Sequence, residues 1–297
     1  MKPPSSLRSL PPEGAPPAQG NPGRAGSTGA AVADSVRLNL TNPVRYVLRL
    51  ADTALIHAQR LSEWCGHGPV LEEDIALTNM ALDLIGQARG LLTHAARLEG
   101  QGWNEDQLAF LRDEAQFLNL TLVEQPMRKS SAHSPGGDFA DTVLRNFLLA
   151  TWYKQMWQRL VGSVDPELAA IAAKALKEAR YHQEHAGDWV VRLGDGTDES
   201  ARRLHAALER AWPYTEEMFE RDAVDSEAEA SGLGPARSSL AADFQREVAA
   251  IFNEARLSLP AATPYRSTGT QGVHSEHLGF ILAEMQSLQR MHPGGVW

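Results

Sequence analysis

From Leu168 to Leu193 the apolar residues recur at alternating steps of four and three. Leu168, Ala172, Ala175, Ala179, His182, Ala186, Trp189 and Leu193 therefore fall on one side of a long helix. A stripe so rich in alanine must lie against something, and its small side chains let a second helix approach closely. The stretch holding Leu77, Met80, Leu84, Gln87, Leu91 and His94 likewise forms one inward face. The same reasoning predicts helices near 43–64, 72–99, 104–124, 138–162, 166–193, 198–220, 237–258 and 275–292. Alternating strand patterns are nearly absent, and no short-period repeat is visible. The fold class that follows is all-α: an antiparallel helix bundle with extra C-terminal helices.

The expected boundaries have local chemistry behind them. Thr41-Asn42-Pro43 reads as a cap followed by proline, and Asp165-Pro166 repeats the pattern. Glu72, Glu73 and Asp74 place negative charge at a helix N-terminus, where the macrodipole favours it. Gly66, Gly100, Gly162 and Gly194 mark expected stops, and Pro213 should kink or split the sixth helix. Seven of the 17 prolines precede residue 23, among Gly, Ser and Ala. Such a segment cannot bury enough surface to offset its ordering entropy, so residues 1–41 are expected to be a disordered tail and 42–297 the folded domain.

The net charge of −9 argues against nucleic acid, whose phosphates call for a basic face. No apolar run is long enough to span a membrane, and no apolar region near the start resembles a signal peptide. A single cysteine, Cys65, excludes an internal disulfide and fits a reducing cytoplasm.

The chemistry is concentrated where polar residues interrupt the two stripes. A ferritin-like di-iron bundle carries Glu-x-x-His on each of two helices, with further carboxylates from the others. Here the corresponding pairs are Leu84-x-x-Gln87 and Ala179-x-x-His182, and Glu-x-x-His occurs nowhere in the chain. Leu84 and Ala179 cannot bridge iron. The degenerate metal-site positions are thus Glu63, Asp83, Leu84, Gln87, Glu178, Ala179 and His182, with no metal expected on this chain. Gln87 and His182 should be held by hydrogen bonds to neighbours. Asp83 and Glu178 are either shifted ligands or partners of arginines, with Arg89, Arg145 and Arg180 as candidates.

Other motifs have simpler readings. His274-Ser275-Glu276-His277 has a zinc-like spacing but only two ligands, and capping of the last helix accounts for it. Gly269-Thr270-Gln271-Gly272 lacks the strand and Lys-Ser/Thr ending of a phosphate loop. Cys65 and His67 are neighbours in sequence, which does not create a nucleophile–base pair, and Cys65 is expected to be a small buried hydrophobe. Trp152, Tyr153 and Trp157 lie on a helix apolar all round, so they belong to the core or to a partner interface.

Several long strings occur in order: "QRLSEWCGHGP", "ALDLIGQAR", "RDEAQFLNLTLVEQP", "KEARYHQEH" and "GVHSEHLGFILAEMQSLQR". Through them the chain, from about residue 44 to 297, resembles the C subunits of the bacterial ring 1,2-phenylacetyl-CoA epoxidase (phenylacetate-CoA oxygenase). The N-terminal tail and the insert at 127–137 depart from that family. The resemblance implies a ferritin-like fold and a structural, non-catalytic subunit of a multicomponent di-iron monooxygenase. It implies a homologous catalytic subunit holding the di-iron centre, a reductase with flavin and iron-sulfur groups that takes electrons from NADPH, and small accessory subunits. The reaction implied is epoxidation of the aromatic ring of phenylacetyl-CoA in aerobic phenylacetate catabolism. By the same resemblance, Gln116, Phe117, Leu118 and Asn119 are candidates for contacting the CoA ester. The residues taken alone put Phe117 and Leu118 in the core and Asn119 on the surface. Two other readings stand beside this one: an autonomous di-iron oxygenase using Glu63, Asp83, Glu178 and His182, and a non-catalytic helical module that binds an acyl-CoA.

Overall fold

The computed structural model describes residues 35–126, 138–293 and 295. Helix α1 (Asn42–Ser62) and helix α2 (Leu71–Glu99) form a hairpin. The short helix α3 (Glu105–Phe110) opens a long, mostly irregular crossover. Helices α4 (Phe139–Leu160) and α5 (Pro166–Gly194) form a second hairpin. α6 (Asp198–Ala211), α7 (Ala223–Ser231), α8 (Ala241–Glu254) and α9 (Glu276–Met291) complete the chain.

Cross-helix contacts fix the directions of the four long helices. Asp83 meets His182 and Gln87 meets Glu178, so α2 and α5 run antiparallel. The Trp64 indole donates to Thr142 Oγ1 and Tyr46 Oη approaches Met156 Sδ, which sets α1 antiparallel to α4. Two helical hairpins joined by one long crossover are the ferritin-like arrangement. Among the described residues there is no strand, only an isolated bridge between Thr268 and Val273.

α1 and α4 are central and buried on nearly every side. α7, α9 and the crossover cover α1, while α6 and α8 cover α4. α2 and α5 are one-sided: their stripes face inward and their other faces stay exposed. Trp152, Tyr153 and Trp157 are all core residues, which settles their role against a partner interface.

Most local signals act as expected. Asp165 caps α5 by accepting from the amides of Glu167 and Leu168, each at 3.0 Å. Gly100 ends α2 in the left-handed conformation, φ 81°. Gly194 abuts α8, where a Cβ would stand 2.1 Å from the Ala255 carbonyl oxygen.

Three expectations need correction. The helix expected over 104–124 stops at Phe110, because polar side chains claim the backbone beyond it. The helix expected over 198–220 ends at Ala211, with Pro213 inside the 3-10 turn Trp212–Tyr214. The folded chain also begins before residue 42. Val36 is buried, its amide donates to the Leu111 carbonyl, and the Asn39 amide donates to Glu99 at 2.9 Å. The expected tail over 1–34 and the insert at 127–137 lie outside the described residues.

Candidate functional site

Leu84, Gln87, Ala179 and His182 converge between α2 and α5, all nearly inaccessible to solvent. The polar members pair reciprocally across the seam. Gln87 Nε2 donates to Glu178 Oε2 at 2.9 Å, and His182 Nε2 donates to Asp83 Oδ2 at 3.1 Å. Asp83 and Glu178 were expected to meet arginines. Instead they meet each other's degenerate neighbours, and Lys174 adds a contact to Glu178 at 3.5 Å. Arg89 pairs with Glu105, and Arg145 donates to the Gln125 carbonyl.

The same seam carries further pairs outside the two degenerate motifs. Glu73 meets His185 at 3.1 Å near one end, and His94 meets Asp165 at 2.8 Å near the other. Burial lowers the pKa of His182, and hydrogen bonding to Asp83 only partly opposes this. Glu63 does not reach this interior: it follows the last turn of α1 and pairs with Arg60.

These residues do not fit a di-iron centre. The two positions where the expected Glu-x-x-His pairs would need a carboxylate hold the buried hydrocarbon of Leu84 and Ala179. The remaining carboxylates are engaged by one amide and one imidazole. Among the described residues no three His, Cys, Asp or Glu side chains are grouped so as to share a metal ion.

His57 belongs to none of the motifs singled out in the sequence. It projects from α1 into the core with both ring nitrogens unpartnered, and burial, then Arg145 and His182, hold its pKa well below the usual value. Its spacing from Leu50, Ala54 and Leu61, again four, three and four, was the available signal.

The segment 116–119 is interior rather than an open contact surface. Phe117, Leu118 and Asn119 are all buried. Asn119 was expected at the surface; its Nδ2 instead donates to Glu124 Oε1 at 2.8 Å. Gln116 Nε2 donates to the Val36 carbonyl at 2.8 Å. Beneath the segment lies a wholly buried ion pair, Arg112 with Asp52, and Asp52 also accepts from the Leu118 amide at 2.9 Å. The placement gives these four residues no exposed surface for a CoA ester apart from Gln116, which is only partly buried.

The C-terminal motifs clamp the crossover. His274 presents Nδ1 to Glu124 Oε1 at 2.7 Å and Nε2 to the Phe117 carbonyl at 2.8 Å. Both nitrogens face acceptors, an arrangement that favours the charged ring. Burial alone would lower its pKa, but Glu124 and the Phe117 carbonyl outweigh burial and raise it. Ser275 caps α9 as expected, accepting from the His277 amide. The glycine loop is a close backbone approach: a Cβ on Gly269 would stand 2.4 Å from the Asn119 carbonyl oxygen. Cys65, expected to be buried, is exposed in the turns after α1, and the His67 ring meets its carbonyl oxygen rather than its thiol.

The fold and site together define an all-α bundle of ferritin-like plan whose α2–α5 seam buries an apolar pair beside an amide and an imidazole side chain. Comparison with known proteins agrees. The chain belongs to the phenylacetic acid catabolic protein family, whose model matches residues 31–297. It is 48% identical over 252 residues to the C subunit of the 1,2-phenylacetyl-CoA epoxidase of Escherichia coli (strain K12), an alignment covering 85% of this chain and 98% of that protein.

Proposed function

We propose that this chain is the structural, non-catalytic subunit of a multicomponent di-iron monooxygenase that epoxidises the aromatic ring of phenylacetyl-CoA. The observation that carries the reading is the α2–α5 seam. Leu84 and Ala179 stand where metal-bridging carboxylates would be needed, and Asp83 and Glu178 are consumed by His182 and Gln87. The high identity to the Escherichia coli C subunit, over nearly its whole length, supplies the reaction. The di-iron centre and its oxygen chemistry then belong to a homologous catalytic subunit. Electrons come from NADPH through a reductase bearing flavin and iron-sulfur groups, and small accessory subunits complete the assembly. We place that assembly in the cytoplasm. Among the described residues no helix is long and apolar enough to cross a membrane.

In this role the chain supplies a stiff bundle against which the catalytic subunit's helices are ordered. α2 leaves Leu71, Ile75, Leu82 and Ile85 exposed within one narrow stripe, the kind of apolar surface a stable subunit contact covers. An obligate contact should bury more than about 2,000 Å². The test is co-expression of the chain with its catalytic partner, followed by purification and metal analysis of each subunit. A stable complex with iron only in the partner is the expected result. Two irons in this chain when isolated, with oxygen consumed by it alone, would refute the assignment.

A further inference from the structure

The outer face of α2 has a spacing of its own. Leu71, Ile75, Thr78, Leu82, Ile85 and Arg89 follow one another at steps of four and three, the repeat of a seam between two helices. Glu73, Met80 and Gln87 occupy the opposite side of α2 and are buried in the bundle. The four apolar members of the seam are between 37% and 71% exposed. Gly86 borders the seam, exposed and inside the helix. Glycine is unfavourable there relative to alanine, and a Cβ at Gly86 would meet nothing within 4 Å. No neighbour among the described residues requires this glycine, whereas a second backbone approaching from outside would.

We infer that a second copy of this chain covers the stripe, with the two α2 helices antiparallel across a two-fold axis at the level of Met80. The seam is self-complementary in that arrangement. Ile75 of one copy faces Ile85 and Gly86 of the other, Thr78 faces Leu82, and Leu71 faces Arg89; the two-fold axis repeats each contact.

Charge selects this partner and this direction. Glu72 is exposed and meets no cation among the described residues. The exposed Arg89 holds Glu105 through Nε alone, at 3.2 Å, so its two terminal nitrogens remain to donate. In the antiparallel pair the stem of Arg89 covers the other copy's Leu71, and its guanidinium reaches the neighbouring Glu72. A parallel pair would instead set Arg89 against Arg89. One helix per copy gives a contact short of the roughly 800 Å² per partner of a standard interface, so the dimer is weak and concentration-dependent. The inference names what covers the α2 stripe and does not rest on the catalytic partner proposed above.

Sedimentation velocity of the full chain, up to roughly 300 µM, tests it. A reversible monomer–dimer equilibrium with a Kd of about 100 µM or tighter is expected. Leu82→Glu brings like charges together near the axis and should weaken the dimer by about tenfold or more, while the unfolding midpoint of this exposed position stays unchanged. Arg89→Glu should weaken it too, and the double swap Glu72→Arg with Arg89→Glu should restore it. Gly86→Ala should raise the unfolding midpoint yet loosen the dimer, opposite signs that a purely internal role would not give. The inference is overturned by a chain monomeric at roughly 300 µM, by a dimer indifferent to Leu82→Glu, or by a double swap no better than Arg89→Glu alone. A chain monomeric by itself, whose Leu82→Glu variant no longer joins the catalytic subunit, would assign the stripe to that subunit and overturn the second copy. A monomer whose Leu82→Glu variant still joins it overturns only this inference and leaves the subunit role standing.

Discussion

Replacing Asp52 by alanine should destabilise this protein more than any change at the degenerate metal positions. Asp52 and Arg112 are both completely buried. The carboxylate takes two guanidinium nitrogens and the Leu118 amide. Without it, Arg112 retains the carbonyls of Leu108 and Gln116 and the face of Phe117, 4.2 Å from the ring centroid, but no counter-charge. Breaking one side of a buried pair costs about 3–5 kcal/mol, and the orphaned amide adds about 1 kcal/mol or more. At roughly 2–4 °C per kcal/mol for a domain of this size, the midpoint of thermal unfolding should fall by about 10–20 °C. Calorimetry measures that shift, and hydrogen exchange should show lost protection across residues 116–119. The double variant Asp52→Leu with Arg112→Met should recover at least about half, because apolar replacement of a whole buried pair is often near neutral. A single-variant shift under about 2 °C, or a double variant worse than the two singles combined, would refute the assignment of this pair as the anchor of the crossover.

Three further outcomes follow from the geometry. The folded pKa of His274 is raised above its unfolded value of 6.5, so its contribution is complete below pH 6.5 and is lost as pH rises through the folded pKa; His274→Gln should flatten the unfolding midpoint against pH over that window. Gly269→Ala drives a methyl into the Asn119 carbonyl and Thr121 Oγ1, 2.4 and 2.8 Å away, and should cost about 1–3 kcal/mol in urea titration. Gln87→Leu removes a buried amide whose Oε1 is unpartnered, and should change stability by less than about 1.5 kcal/mol; a larger loss would mean that the Gln87–Glu178 contact holds the seam together.

The candidate site was legible in part. Leu84, Gln87, Ala179 and His182 could be placed inward from spacing alone, because a helix of fixed pitch puts residues three and four apart on one face. Their partners could not. Arginines were the expected neighbours of Asp83 and Glu178, yet α2 and α5 cross at a register that sets each carboxylate opposite the other helix's amide or imidazole. That register depends on how closely the alanine-lined face of α5 lets the bulkier face of α2 approach, a property of the pair and not of either helix.

The crossover shows the opposite limit. Residues 104–124 have enough helical pattern to predict one helix, but local preference is a weak term there. Asp52, Glu217 and His274, distant in sequence, and Glu124 close by satisfy the backbone and side chains of 116–121 directly. Once those bonds are made in the interior, helical bonds are no longer needed for the same groups.

The sequence by itself determined the helical class, the inward faces of α2 and α5, the caps at Asp165 and Ser275, and the hydrocarbon side chains at Leu84 and Ala179. Each depends only on residue type and helical periodicity. Tertiary structure decided that α1 and α4 form the centre, that the crossover unwinds, and that residues 35–41 join the fold. Each depends on contacts between residues far apart in the chain, whose energies arise only once packing has brought them together.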